Sequence, residues 1–239
     1  MTTDELERLG AALIERPLYV ALQSDGIPSP LPGAWGCTSP TIDLLLRPWL
    51  ESSGRWRGRQ AGIFIGDELL REAVTEEAAI SEMLLAVLAH ELSHVVDQGI
   101  DLGEATIERT NQATALAAFS GLLQDSLIVP PFWGHGPNWL RATLHLHHRM
   151  STLGHAVPVN WLFAGEHFAL AEPDQWAYVL SDEPEALAGV PIFDVLTFRP
   201  PFAFADLWRR CVEHWRDLNP SRCDADVERS LSLFGDSDK

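Results

Sequence analysis

The chain has 239 residues, nine of them Trp, and 46% are hydrophobic, enough for one large domain whose core needs no disulfide staples. Asp and Glu number 34 against 17 Lys and Arg, a formal net charge of -17, which argues against broad electrostatic binding to nucleic acid or to an anionic membrane surface. No long unbroken apolar run marks a transmembrane helix, and the acidic start Met1-Thr2-Thr3-Asp4-Glu5 is unlike a signal peptide. Three scattered Cys (Cys37, Cys211, Cys223) suit a reducing, cytoplasmic compartment.

Residues 3–15 read as a short helix, and Pro17-Leu18-Tyr19-Val20-Ala21-Leu22 as a strand. From Gly26 to Pro40 there are four Pro and three Gly, the composition of an irregular loop. The apolar stretch Thr41 to Leu50 fits strand or helix, and Arg55, Arg57 and Arg59 read as an exposed loop. Ala61-Gly62-Ile63-Phe64-Ile65-Gly66 reads as a buried strand, and as an edge along which an extended peptide could pair. The clearest element follows. Thr75 is an N-cap with Glu76 and Glu77 in the first turn, Ile80, Met83, Leu84, Val87, Leu88 and Val95 recur at helical spacing, and Gly99 supplies the stop. Residues 103–125 read as a second long helix, Pro130-Pro131 as a break, and Pro137 to Met150 as a further helix opened by a proline. Val157 to Ala169 is ambiguous, and Ala205 to Asp217 reads as helix. The whole predicts one α+β domain over residues 1–222, mostly helical with a small sheet, followed by an acidic tail over 223–239.

The chemistry concentrates in His90-Glu91-Leu92-Ser93-His94. Residues four apart on a helix project from one face, so His90 and His94 can aim an imidazole nitrogen at the same ion. Two neutral imidazoles suit zinc and leave room for a third protein ligand and a water. Glu91, beside the first ligand, can reach that water and act as general base while zinc polarises a scissile carbonyl. His90 and His94 also continue the stripe of Met83 and Val87 on the flank of the helix's apolar face.

A catalytic zinc requires a third protein ligand. His135, in Gly134-His135-Gly136-Pro137-Asn138-Trp139, stands on a glycine-flanked turn just ahead of a helix, with Trp139 and Leu140 as core anchors. Two motifs, an HExxH helix and a later His-Gly-Pro-x-Trp opening another helix, resemble those of the SprT-like zinc metallopeptidases. The resemblance implies a zincin-like fold over about residues 61–150, zinc as cofactor, a peptide or protein substrate, His90, His94 and His135 as ligands and Glu91 as general base. It also implies that the 103–125 helix is an insertion, since 40 residues separate His94 from His135.

Other ligand sets remain open. Glu104 or Glu108 would give a two-His, one-Glu site of the thermolysin type. Glu166, in Gly165-Glu166-His167, resembles the glutamate segment of lethal-factor-like peptidases, with Asp97 matching their Asp three residues after the second His. The metzincin pattern is excluded, because Gly and His do not follow His94 at its spacing. Asp97 could orient a ligand imidazole; His145, His147 and His148 read first as lining an amphipathic helix, although one of them, or Tyr178, could stabilise an oxyanion. His155, His167 and His214 read as structural or surface residues. The alternative to an enzyme is a non-catalytic zinc-binding module on the same fold.

Overall fold

A computed structural model describes residues 1–74, 76–97, 135–163 and 173–218. The elements that position the site are helix α1 (Thr3–Ile14), strands β1 (Leu18–Leu22) and β2 (Gly36–Cys37), helix α2 (Ile42–Ser52), strand β3 (Ala61–Ile65), and helices α3 (Asp67–Ala73), α4 (Glu77–Asp97) and α5 (Pro137–Thr152). A 3₁₀ turn at Val159–Phe163 precedes helices α6 (Pro173–Val179), α7 (Glu183–Ala186), α8 (Ile192–Val195) and α9 (Phe202–Leu218). The molecule is thus a mostly helical α+β protein with a small mixed sheet against α4, as the sequence predicts.

Helix α1 begins with a capping box, in which the Thr2 hydroxyl accepts the Glu5 N–H and the Glu5 carboxylate accepts the Thr2 N–H. Its apolar face, Leu6, Leu9, Leu13 and Ile14, packs into the main core. Strands β1 and β3 run parallel, Leu18 opposite Ala61 through Leu22 opposite Ile65, and every residue in both is buried. The reason is that both faces of the sheet are covered. Leu18, Val20, Leu22, Ala61, Ile63 and Ile65 meet α1 and α4, while Tyr19, Ala21 and Phe64 meet Ile42, Leu46 and Leu50 of α2.

Two expectations are corrected here, and one open alternative is decided. First, β3 is the central strand of the order β1-β3-β2, so its edges are occupied and no peptide can pair along it. The outer strand on the α4 side is β2, antiparallel to β3 with Gly36 opposite Ile65, which lies inside the stretch read as an irregular loop. Two residues are too few for a periodicity to announce them. The stretch Thr41 to Leu50, which fits strand or helix in the sequence, is a helix over Ile42–Ser52 despite Pro48, because burial of Ile42, Leu44, Leu46 and Leu50 outweighs one lost backbone hydrogen bond. Second, the segment carrying Arg55, Arg57 and Arg59 is a loop, as expected, but of the three only Arg57 is exposed. The Arg55 guanidinium pairs with Glu7 and Arg59 donates to the buried Asp43 at 2.6 Å. The Arg57 N–H donates to the Tyr19 hydroxyl at 2.5 Å, and that hydroxyl donates to the Gly58 carbonyl.

Helix α4 runs through the middle of the core, with Leu84, Leu88, Ala89, Leu92 and Val95 sealed from solvent. Its stretch Ala79–Asp97 is long and apolar enough to cross a membrane by length and composition, a property that short-range reading of the sequence missed. Here it is a core helix, enclosed by α1, α5 and the sheet. Thr75, Gly99, the 103–125 helix, the Pro130-Pro131 break and the 223–239 tail lie outside the described residues.

Candidate metal centre

Each ligand candidate is delivered by a local rule of the chain. His90 and His94 stand one turn apart on α4, on the flank that also carries Met83 and Val87. His135 immediately precedes Gly136, the extended N-cap of α5, and Pro137 opens that helix. Helices α4 and α5 pack directly on each other, which carries His135 across to the α4 pair. One donor nitrogen from each of His90, His94 and His135 lies within 4.8 Å of the others, all three half-buried.

The spacing suits a metal. His135 Nε2 and His90 Nε2 are 3.4 Å apart. Two nitrogens bound at about 2.0–2.1 Å to a tetrahedral ion stand about 3.3 Å from one another. Three half-buried imidazoles converging within 4.8 Å, one pair of them at that distance, would as neutral ligands fit a divalent ion of intermediate softness.

The ring of His90 is fixed from behind. Its Nδ1 lies 3.0 Å from the carbonyl of Leu162, in the 3₁₀ turn. A carbonyl can only accept, so Nδ1 carries the hydrogen and Nε2 presents its lone pair to the cluster. Burial pushes the His90 pKa down to about 4, with the Leu162 carbonyl opposing, so the ring is neutral across the physiological range. Trp139 closes the floor. Its indole N–H donates to the His90 carbonyl at 3.3 Å, and its ring centroid lies 4.9, 5.5 and 4.6 Å from those of His90, His94 and His135. Phe163 packs edge-on to it from the same 3₁₀ turn.

Glu91 follows His90 and is only 5% exposed. It faces β2 at Gly36, next to Cys37. Burial, and the Glu91 charge beside it, push the Cys37 thiol well above its usual range, so it stays protonated. Ser93 is satisfied internally, its hydroxyl donating to the Ala89 carbonyl at 2.7 Å.

The remaining expectations sort plainly. Among the described residues no hydrogen bond links Asp97 to an imidazole; the Leu162 carbonyl takes the orienting role for His90, and burial raises Asp97 to about 6. His145 is no oxyanion candidate. It is sealed inside α5 with its Nε2 3.5 Å from Glu183 Oε2, while the Arg141 guanidinium holds the other Glu183 oxygen. His147 Nε2 bonds the Val157 carbonyl at 2.7 Å, and Tyr178 is 79% exposed on α6. His214 is exposed on α9 and His155 half-buried after α5. Glu104, Glu108, Glu166 and His167 lie outside the described residues. Sequence reading missed Leu162 and Gly36. A backbone carbonyl leaves no trace in a sequence, and one glycine in a loop rich in them does not stand out.

Comparison with protein-family profiles, with curated protein sequences and with solved structures finds no match to this chain. What defines the protein is therefore its own fold and site: a mostly helical α+β fold in which three histidines, two on α4 and one just ahead of α5, could hold a metal ion.

Proposed function

We propose that the chain is a zinc-dependent peptidase in which His90, His94 and His135 hold the ion and Glu91 is the general base. The observation that carries this reading is the convergence of His135 onto the two histidines of an HExxH helix, all within 4.8 Å, with the His90–His135 pair at a spacing that fits tetrahedral zinc. Resemblance of the two motifs to those of SprT-like peptidases supports the choice of peptide over other amides. When bound, zinc lowers the pKa of a water it holds and polarises the substrate carbonyl. The chain's own part is to keep His90 neutral and oriented through Leu162, to exclude bulk solvent with Trp139 and Phe163, and to place the Glu91 carboxylate where it accepts a proton and passes it to the leaving amine. An extended substrate would pair with the outer edge of β2, beside Glu91. A cytoplasmic location belongs to the same proposal, supported by the buried Cys37, which forms no disulfide with a described residue.

The test is metal analysis and peptide hydrolysis on the wild type, Glu91→Gln and His135→Ala. Glu91→Gln should retain zinc and lose at least about 10²-fold in kcat. His135→Ala should lose zinc. A wild type that binds zinc tightly and hydrolyses no peptide would instead identify a zinc-binding module, and zinc occupancy unchanged in His135→Ala would refute the ligand set.

A further inference from the structure

Gly36 is a glycine for want of space, not for backbone freedom. The described glycines with left-handed φ are Gly26, Gly33, Gly54, Gly58 and Gly154, and Gly36 is not among them. A Cβ at position 36 would stand 2.7 Å from Glu91 Oε1, 3.0 Å from Glu91 Cγ and 2.6 Å from Val87 Cγ1. These are separations that a real side chain does not tolerate, so something would have to move.

The two backbones cannot. Strand β2 is pinned by the pairing of Gly36 with Ile65 and Cys37 with Phe64. The Gly66 N–H donates to the Trp35 carbonyl at 2.9 Å, and the Thr38 hydroxyl donates to the Gly62 carbonyl at 2.6 Å. Helix α4 is held from its other side by Leu88 and Leu92, both fully buried in the main core. Val87 is β-branched and strongly prefers one rotamer in a helix, so it yields less readily than a flexible side chain. The group that can yield is the flexible end of Glu91.

We propose that Gly36 is a positioning residue for Glu91: the bare backbone of β2 is the wall against which the carboxylate rests, and a side chain at 36 turns it away from the histidine cluster. The kinetic consequence rests on the hydrolase reading, whereas the contact itself can be tested without turnover. A catalytic group misplaced by about 1 Å costs about 10²-fold in rate, while the imidazoles, none of which supplies the three atoms nearest a Cβ at position 36, keep their geometry.

In the metal-free wild type, a nuclear Overhauser effect between the Gly36 Hα and Glu91 Hγ protons is expected, and its absence overturns the contact. Gly36→Ala should bind zinc within about threefold of wild-type affinity and lower kcat about 10²-fold with KM within about threefold. A merely structural role would act through Val87 instead. The double variant Gly36→Ala/Val87→Ala should therefore regain thermal stability while kcat stays low, because the Glu91 clash persists. Recovery of wild-type kcat in the double variant, or a tenfold loss of zinc affinity in Gly36→Ala, overturns the assignment. Should Gly36→Ala fail to fold, the double variant carries the same test. If the zinc-loaded wild type hydrolyses no peptide, the hydrolase reading fails, and the proton contact alone decides the positioning role.

Discussion

His90 must meet two demands with one imidazole: a lone pair directed at the cluster, and an N–H satisfied away from water. The Leu162 carbonyl meets the second, and burial keeps the ring neutral down to about pH 4. The unfolded chain, with a His90 pKa near 6.5, takes up a proton that the folded metal-free protein refuses, so this residue's contribution to stability falls as pH drops from about 6.5 to about 4. At about 1.4 kcal/mol per pH unit the loss is at most about 3.5 kcal/mol. Asp97, raised from 3.8 to about 6, acts oppositely, favouring the folded state toward lower pH across that window. The two must be separated by site-specific measurement. Ring resonances of His90 in the metal-free protein should titrate near pH 4 in an NMR experiment, and a midpoint between 6 and 7 would contradict its buried, carbonyl-bonded environment. At this scale the HExxH histidines were legible because their spacing is dictated by helix geometry, and His135 because its glycines and proline mark a helix entry. The groups that hold them were not, since Leu162 acts through its backbone and Trp139 reads only as a core residue.

Helix α5 carries more than a ligand. Arg141, 2% exposed, donates to Glu183 and, at 2.7 Å, to the Phe198 carbonyl, with His145 on the far side of the same carboxylate. These contacts tie α5 to α7 and to the chain beyond α8. Arg141→Leu leaves a buried carboxylate without its cation and should cost about 3–5 kcal/mol in denaturant unfolding. Arg141→Leu/Glu183→Leu, which removes both charges, should recover most of that loss, because a buried ion pair and an apolar pair of similar volume are close in stability. Elements with long apolar periodicity were readable from the sequence: α1, β1, α4 and α5 fall where their patterns put them, within a few residues at each end. Those set by pairing partners were not. The central place of β3 depends on a two-residue β2, and α3 (Asp67–Ala73) is too short to show a period.

Over the whole molecule, the three histidines join the two helices that contribute the largest share of the main core. An ion bound only by the folded arrangement adds its binding free energy to stability. Zinc at about 100 times its dissociation constant should stabilise the protein by about 2.7 kcal/mol. For a chain of this length that is a rise in Tm of about 5–10 °C. Differential scanning calorimetry with zinc and then with chelator should show the gain and its reversal, and His135→Ala should show neither. The fold class was legible because hydrophobic content and helical periods dominate it; the double-sided burial of the sheet was not, because strands apolar on both faces lack the alternation that reveals orientation.

Because α4 delivers one pair of histidines and the entry to α5 the third, each parcel takes its shape from its own helix, and only the packing of helix on helix sets their separation. The number of residues strung between His94 and His135 is then a free variable of evolution. A pattern search that fixes the interval between the two motifs would pass over proteins with this same arrangement. The more durable signature is the pair of helix-borne fragments, His-Glu-x-x-His and His-Gly-Pro, at any distance the chain can bridge.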